Sequence, residues 1–252
     1  MLRLRAWGGR YLCEMADLTR AVPLLRSTLA DQERVLGAGH PHILESRNNL
    51  AAAYQLAGDL GRAVPLMAAT LADCERLLGA EHPTTLRFRN NLATAHYTAG
   101  DLGRAIPLYE QTLATRERVL GADHSHTLAA RNNLAVAYEA AGGLGRAVPL
   151  LEATLADRER VLSADHPDTL ASRNNLAGAY QAAGDLGRAI PLFEAALADC
   201  ERVLSADHPT TRIVRRNLGS AIGRSTRDMV EPRADLAEGL GVEEDAAGRR
   251  SL

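Results

Sequence analysis

The side chains able to do chemistry recur at a fixed step. Arg47-Asn48-Asn49-Leu50-Ala51 returns as Arg89-Asn90-Asn91-Leu92-Ala93, then at 131–135 and 173–177, 42 residues later each time. A primary amide donates and accepts at once, which is what holding a peptide backbone without reading its side chains requires. Beside the amides, Arg47 recurs as Arg89, Arg131, Arg173 and Arg215, with Arg5 in the same register, and Glu33 recurs as Glu75, Glu117, Glu159 and Glu201. On a helical wheel each arginine falls on the side of Leu50, Ala51 and Tyr54, so it points inward. Glu33 and Arg47 lie seven residues either side of His40. A turn there brings them level, so the pattern predicts a ladder of partly buried ion pairs: Glu33 with Arg47, Glu75 with Arg89, Glu117 with Arg131, Glu159 with Arg173 and Glu201 with Arg215.

Other chemistries find less support. His40-x-His42 and His124-x-His126 hint at metal, but H-x-H alone is a weak signal, and one histidine of each pair belongs to a repeating loop, so no metal is expected. Gly58-Asp59-Leu60-Gly61 lacks the preceding strand and the lysine of a phosphate loop. All 29 cationic residues are arginine, which removes Schiff-base chemistry and is a bias that a high-GC bacterial genome would produce. No nucleophile elbow or isolated acid pair breaks the register, so neither an enzyme nor a cofactor is expected.

Composition sets the remaining bounds. The chain of 252 residues is 46% hydrophobic but only 4% aromatic, so its core must be Leu, Ala and Val, residues that lose little entropy on entering a helix. A net charge of −2 gives no reason to expect nucleic acid or an anionic membrane. Cys13, Cys74 and Cys200 have neither disulfide nor zinc spacing. No apolar signal core follows the N-terminus and no stretch approaches a membrane span, so a cytoplasmic protein is the expectation.

These residues must be positioned by paired helices. Leu50, Ala51 and Tyr54 mark the apolar face of a first helix from about Pro41 to Ala57; Gly58-Asp59 stops it and caps the next. The second helix carries Ala63, Met67, Leu71, Cys74 and Leu78 at spacings of four, four, three and four. Pro65 lies inside it, four residues after Gly61, and glycine there predicts a bent start rather than a break. The first repeat has Thr19 before Pro23 and lacks this relief.

The string N-N-L-A-x-x-Y, then G-D/G-L-G-R-A-V/I-P-L, then L-A-x-x-E-R-V/L-L and H-P resembles the 42-residue tetratricopeptide repeats of kinesin light chains and their bacterial relatives. The resemblance implies an all-α, right-handed solenoid of about five antiparallel hairpins plus a C-terminal capping helix, and a concave groove lined by first helices that holds a peptide or helix of a protein partner. By wheel position, Asn48 and Asn49 lie on the flanks opposite the core. The resemblance makes the first amide of each pair, Asn48, Asn90, Asn132 and Asn174, the peptide contact; the alternative is that the amides bridge adjacent hairpins, above all the second of each pair. Two further levels of the groove are Glu45, Arg87, Ala129, Ala171 and Ile213, and Ala52, Thr94, Val136, Gly178 and Ser220. Arg87, Tyr97 and Arg216, where the repeats differ most, would set specificity.

The flanks depart from the pattern. Residues 1–16 are expected as an irregular first helix weakened by Gly8 and Gly9, residues 17–224 as the solenoid with 210–224 its cap, and residues 225–252 as a disordered tail. Two alternatives to a peptide scaffold stay open: a solenoid that self-associates into homo-oligomers, and a detached sensor region of a multidomain signalling ATPase.

Overall fold

The computed structural model describes residues 7–9, 11–13, 15–37 and 40–230. Its helices are α1 (Leu18–Leu36), α2 (Pro41–Leu56), α3 (Leu60–Leu78), α4 (Pro83–Thr98), α5 (Leu102–Leu120), α6 (Ser125–Ala140), α7 (Leu144–Leu162), α8 (Pro167–Ala182), α9 (Leu186–Leu204) and α10 (Pro209–Val230). No strand occurs among the described residues. The chain divides into two compact units, Met1–Val161 and Leu162–Leu252. In the first, each helix from α1 to α5 packs on the next; in the second, α8 packs on α9 and α9 on α10. Each unit is thus a run of consecutive helical hairpins, the solenoid arrangement in which contacts stay between neighbours.

Both kinds of junction follow from local chemistry. At the end of α2, Gly58 takes φ +76°, its N–H donates to the Gln55 carbonyl and the Asp59 N–H donates to that of Tyr54, both at 2.9 Å. This is the glycine-terminated cap that satisfies two of the last carbonyls. Asp59 then turns donor-seeking in the other direction: its Oδ1 accepts from the Arg62 N–H at 3.1 Å and starts α3. Asp17, Asp101 and Asp185 repeat the cap, while Gly143 stands in its place before α7. At the other junction Gly79 sits at φ +92°, and His82 caps α4 by accepting from the Thr84 N–H through Nδ1 at 3.2 Å. The same role falls to His40 and His124, so the first histidine of each H-x-H pair is a helix cap. Ser163 and Ser205 occupy the glycine position at φ +88° and +90°.

The second helices run unbroken across Pro23, Pro65, Pro107, Pro149 and Pro191. The glycine four residues earlier is not what permits this. Helix α1, with Thr19 there, has the same 19 residues as α3 with Gly61. Thr19 and Gly61 are both exposed, so the carbonyl that proline leaves without a donor can turn to water.

The core is small and aliphatic. Leu25, Leu29, Ile43, Leu50, Ala53, Tyr54 and Ala63 form one cluster; Met67, Leu71 and Cys74 meet Leu44, Ala51, Phe88, Leu92 and Ala95 in the next. Fully buried alanines let the helices approach closely. At the N-terminal end, residues 7–9 and 11–13 are helical, and a Cβ on Gly9 would lie 2.5 Å from Leu25 Cδ2. That glycine is therefore required by packing and is not simply a weakness. At the other end α10 continues to Val230, past the expected limit at 224; the tail from 231, with Gly239 and the acids at 243–245, lies outside the described residues, as does Arg5.

Candidate functional site

The arginine ladder forms as the register predicts within each unit. Arg47 meets Glu33 at 2.8 Å, Arg89 meets Glu75 at 2.7 Å, Arg131 meets Glu117 at 3.1 Å and Arg215 meets Glu201 at 2.7 Å. Glu159 and Arg173 belong to different units. A second carboxylate, not anticipated, stands on the far side: Asp73 pairs with Arg47 at 2.9 Å, Asp157 with Arg131 at 2.7 Å, and Asp199 with Arg173. The same spacing places Thr115 at Arg89, which instead donates to the Ala80 carbonyl at 3.3 Å. The inward guanidinia are thus engaged in holding hairpins together.

Two further buried arginines were not anticipated. Arg116 and Arg158 sit where Cys74 and Cys200 sit in other repeats, and the residues are 6% and 4% exposed. Arg116 donates to the His126 carbonyl at 2.8 Å, and burial lowers its pKa from the ordinary arginine value. Their signal was an arginine at an apolar stripe position.

The amides are placed differently from the expectation. Asn48 and Asn132 are only 6% and 9% exposed, not opposite the core; over Asn48 the next hairpin packs on that flank. Within each unit the asparagine at the second position reaches back to the preceding hairpin: Asn91 donates to Asn48 Oδ1 at 3.0 Å, Asn133 to Asn90 Oδ1 at 3.3 Å and Asn217, beside Arg216, to Asn174 Oδ1 at 3.1 Å. The bridging alternative therefore holds for Asn91, Asn133 and Asn217. The first amide has its acceptor committed to this bridge, and no described residue accepts from the Nδ2 groups of Asn48, Asn90 and Asn174. What these amides hold ready for another molecule, without competing with the bridge, is their NH2 donors.

In the N-terminal unit the first helices present one stripe, spaced three or four residues apart as one helix face requires. Its levels are Glu45, Arg87 and Ala129; Asn48, Asn90 and Asn132; Ala52, Thr94 and Val136; Gln55, Tyr97 and Glu139. One contact between hairpins and one within a hairpin fix the stripe, Gln55 Nε2 donating to Thr98 Oγ1 at 3.4 Å and Thr94 Oγ1 lying 2.9 Å from the Tyr109 hydroxyl. Arg87 pairs with Glu45 and its guanidinium stands 4.8 Å from the Phe88 ring centre. Tyr97 is half-buried against the cluster around Ala93, Tyr109 and Leu134, and burial, with Glu139 adding, raises its phenol. Glu139, which sequence reasoning passed over, is half-buried and its carboxyl is raised by burial. One more helical turn beyond the level of Val136 would have found it. In the C-terminal unit Arg216 is exposed on α10, Ala171 and Gly178 are half-buried, and Ile213 and Ser220 are exposed.

No group of three or more metal-ligating side chains converges among the described residues. Cys74 and Cys200 are buried free thiols whose pKa burial raises, which disfavours the reactive thiolate. No described helix is long and apolar enough to cross a membrane.

Tetratricopeptide repeat family models match residues 48–118 and 89–160, and residues 9–42 and 169–210. Among solved structures the chain is similar to the nearly identical TPR-like repeats of a kinesin light chain-type protein of Podospora anserina, with 35% identity over 80% of this chain and 95% of that one and a TM-score of 0.71. BtubC from P. vanneervenii shares the fold at 24% identity, 80% of each chain being covered, with a TM-score of 0.66. The fold also recurs in a signal transduction ATPase with a tetratricopeptide repeat sensor from Pyrococcus horikoshii, at 13% identity and a TM-score of 0.67, where 96% of this chain matches 37% of that one. No curated protein matches the chain.

Proposed function

The chain belongs to the tetratricopeptide repeat family, of the kinesin light chain-like type, and from that premise we propose that it is a non-catalytic protein-interaction scaffold whose first-helix face holds a peptide or helix of a protein partner. The observation that carries this reading is the Asn48 and Asn90 amide NH2 groups of the N-terminal unit, without a described acceptor and each held in orientation by a bond to the amide oxygen; Asn174 offers the same group on the C-terminal unit. Donors fixed on adjacent hairpins of one unit suit the carbonyls of an extended backbone, and orientation in advance reduces the entropy lost on binding. Arg87 and Tyr97 vary from repeat to repeat on that face and supply side-chain selection, with Asn132 at the next hairpin's amide level; Arg216 has the corresponding part on the C-terminal unit's own first-helix face. The fold names a class of work and not the partner.

The test is retention of an arrayed set of random dodecapeptides by the wild type and by Asn90→Asp. Aspartate keeps the acceptor for Asn133 but has no NH2 to donate, so weaker retention at unchanged thermal stability is expected. Equal retention would remove the asparagines from the contact surface.

Two other readings have an observation each. Trp7, Tyr11 and Met15, four residues apart and exposed, favour self-association at the N-terminal end; light scattering that finds a monomer across a concentration series removes it. The likeness to the sensor-bearing ATPase favours a sensor region, and an ATPase encoded beside this chain would support that.

A further inference from the structure

One charge on the N-terminal unit's first-helix face is left over. Glu45 and Arg87 neutralise each other, and behind the face Glu110 accepts from the Tyr138 hydroxyl at 2.5 Å. Glu139 has no cation paired with it among the described residues, although it is half-buried. A carboxylate drawn from water without a counter-ion weakens the fold that holds it. Burial keeps its carboxyl above the usual range, with no compensating cause, and its charge in turn raises the Tyr97 phenol, so the two groups feel each other. They occupy the same level of adjacent first helices, α4 and α6. Thr94 and Val136, one turn back on the same stripe, are small and leave height for a visiting side chain.

We propose that Glu139 and Tyr97 form a subsite for one basic side chain, arginine or lysine, of a peptide lying along the first helices of the N-terminal unit. This rests on the peptide-binding reading of that face. The carboxylate supplies the opposite charge where water is partly excluded, and the half-buried ring supplies a π face fixed by its packing on the cluster beneath it. The subsite also gives direction: the amides hold a backbone at any residue, whereas a cation must land at one level.

The experiment uses the full chain and the same random dodecapeptide array, with wild type, Glu139→Gln, Tyr97→Leu and, as a control of equal charge change, Glu81→Gln on an exposed loop. Peptides retained by the wild type are expected to be enriched in arginine or lysine at one position, and the strongest of them to bind Glu139→Gln about tenfold more weakly, the size of one partly desolvated charge pair. Glu81→Gln should bind as wild type does. Retained peptides without basic enrichment, or equal binding by Glu139→Gln, overturn the subsite while leaving the scaffold reading in place. No retained peptide for any variant overturns both. A second readout separates recognition from structure. At pH 7 the urea midpoint of Glu139→Gln should equal or exceed that of wild type, because an unpaired buried charge is removed; a lower midpoint would mean that the carboxylate serves the fold and would overturn the proposal.

Discussion

Arg89 and Arg215 occupy the same register position in different surroundings. Both reach the glutamate fourteen residues earlier at 2.7 Å, yet the Arg89 side chain is 2% exposed and that of Arg215 47%. Arg89 lies inside a run of hairpins that cover it from both sides. Arg215 lies on α10, the last described helix, which packs on α9 but has no described hairpin after it. The identical motif is thus a core element in one place and a surface ion pair in the other. In a solenoid the worth of a side chain is set by its neighbour as much as by its own repeat.

The sharpest way to break this comparison is to remove the same carboxylate in both places. Glu75→Gln leaves Arg89 with no described carboxylate partner and should cost about 2 kcal/mol. That figure lies between the values for exposed and fully buried pairs because the glutamate itself is 41% exposed. Glu201→Gln should cost less than about 0.5 kcal/mol. Equal losses in urea denaturation would show that burial does not grade the ladder.

Next in size are the junctions that depart from glycine. Ala16, Ser163 and Ser205 hold positive φ where other repeats place glycine, so Ala16→Gly, Ser163→Gly and Ser205→Gly should each raise stability by about 1 kcal/mol. The reverse change, Gly79→Ser, should lower it by a similar amount.

Arg116→Met, read by the same denaturation series, should be neutral or raise stability by about 1 kcal/mol. It exchanges a desolvated guanidinium for an apolar chain of similar length. The smallest effect expected is from Gly143→Asp, a gain of a few tenths of a kcal/mol from restoring the cap before α7; the Tyr138 carbonyl, 3.2 Å from the new Cβ, keeps it small.

The sequence carried the hairpins almost completely, because helix ends are decided by residues within one turn of them. Asp59, Gly58 and His82 announce their junctions without any tertiary knowledge, and the pairing of Glu75 with Arg89 needed only a turn at His82. Legibility stopped where the answer depends on the next hairpin. The wheel placed Asn48 away from its own helix's core and could not register that α4 would close over it. The depth of Arg89 was hidden for the same reason, and so was Asp73 as a second carboxylate on Arg47. Arg116 and Glu139 were hidden differently, since each breaks its register by type and the eye follows what repeats.

The junctions between hairpins have a consequence at the level of the gene. Each linker is closed by its own backbone bonds, as where the Gly79 N–H donates to the Glu75 carbonyl, and each helix packs chiefly on the next. A misaligned recombination that inserts or excises one whole period would join one such junction to another of the same chemistry. The length of the molecule, and with it the number of levels offered to a visitor, is therefore free to change by whole steps without redesign of the interior.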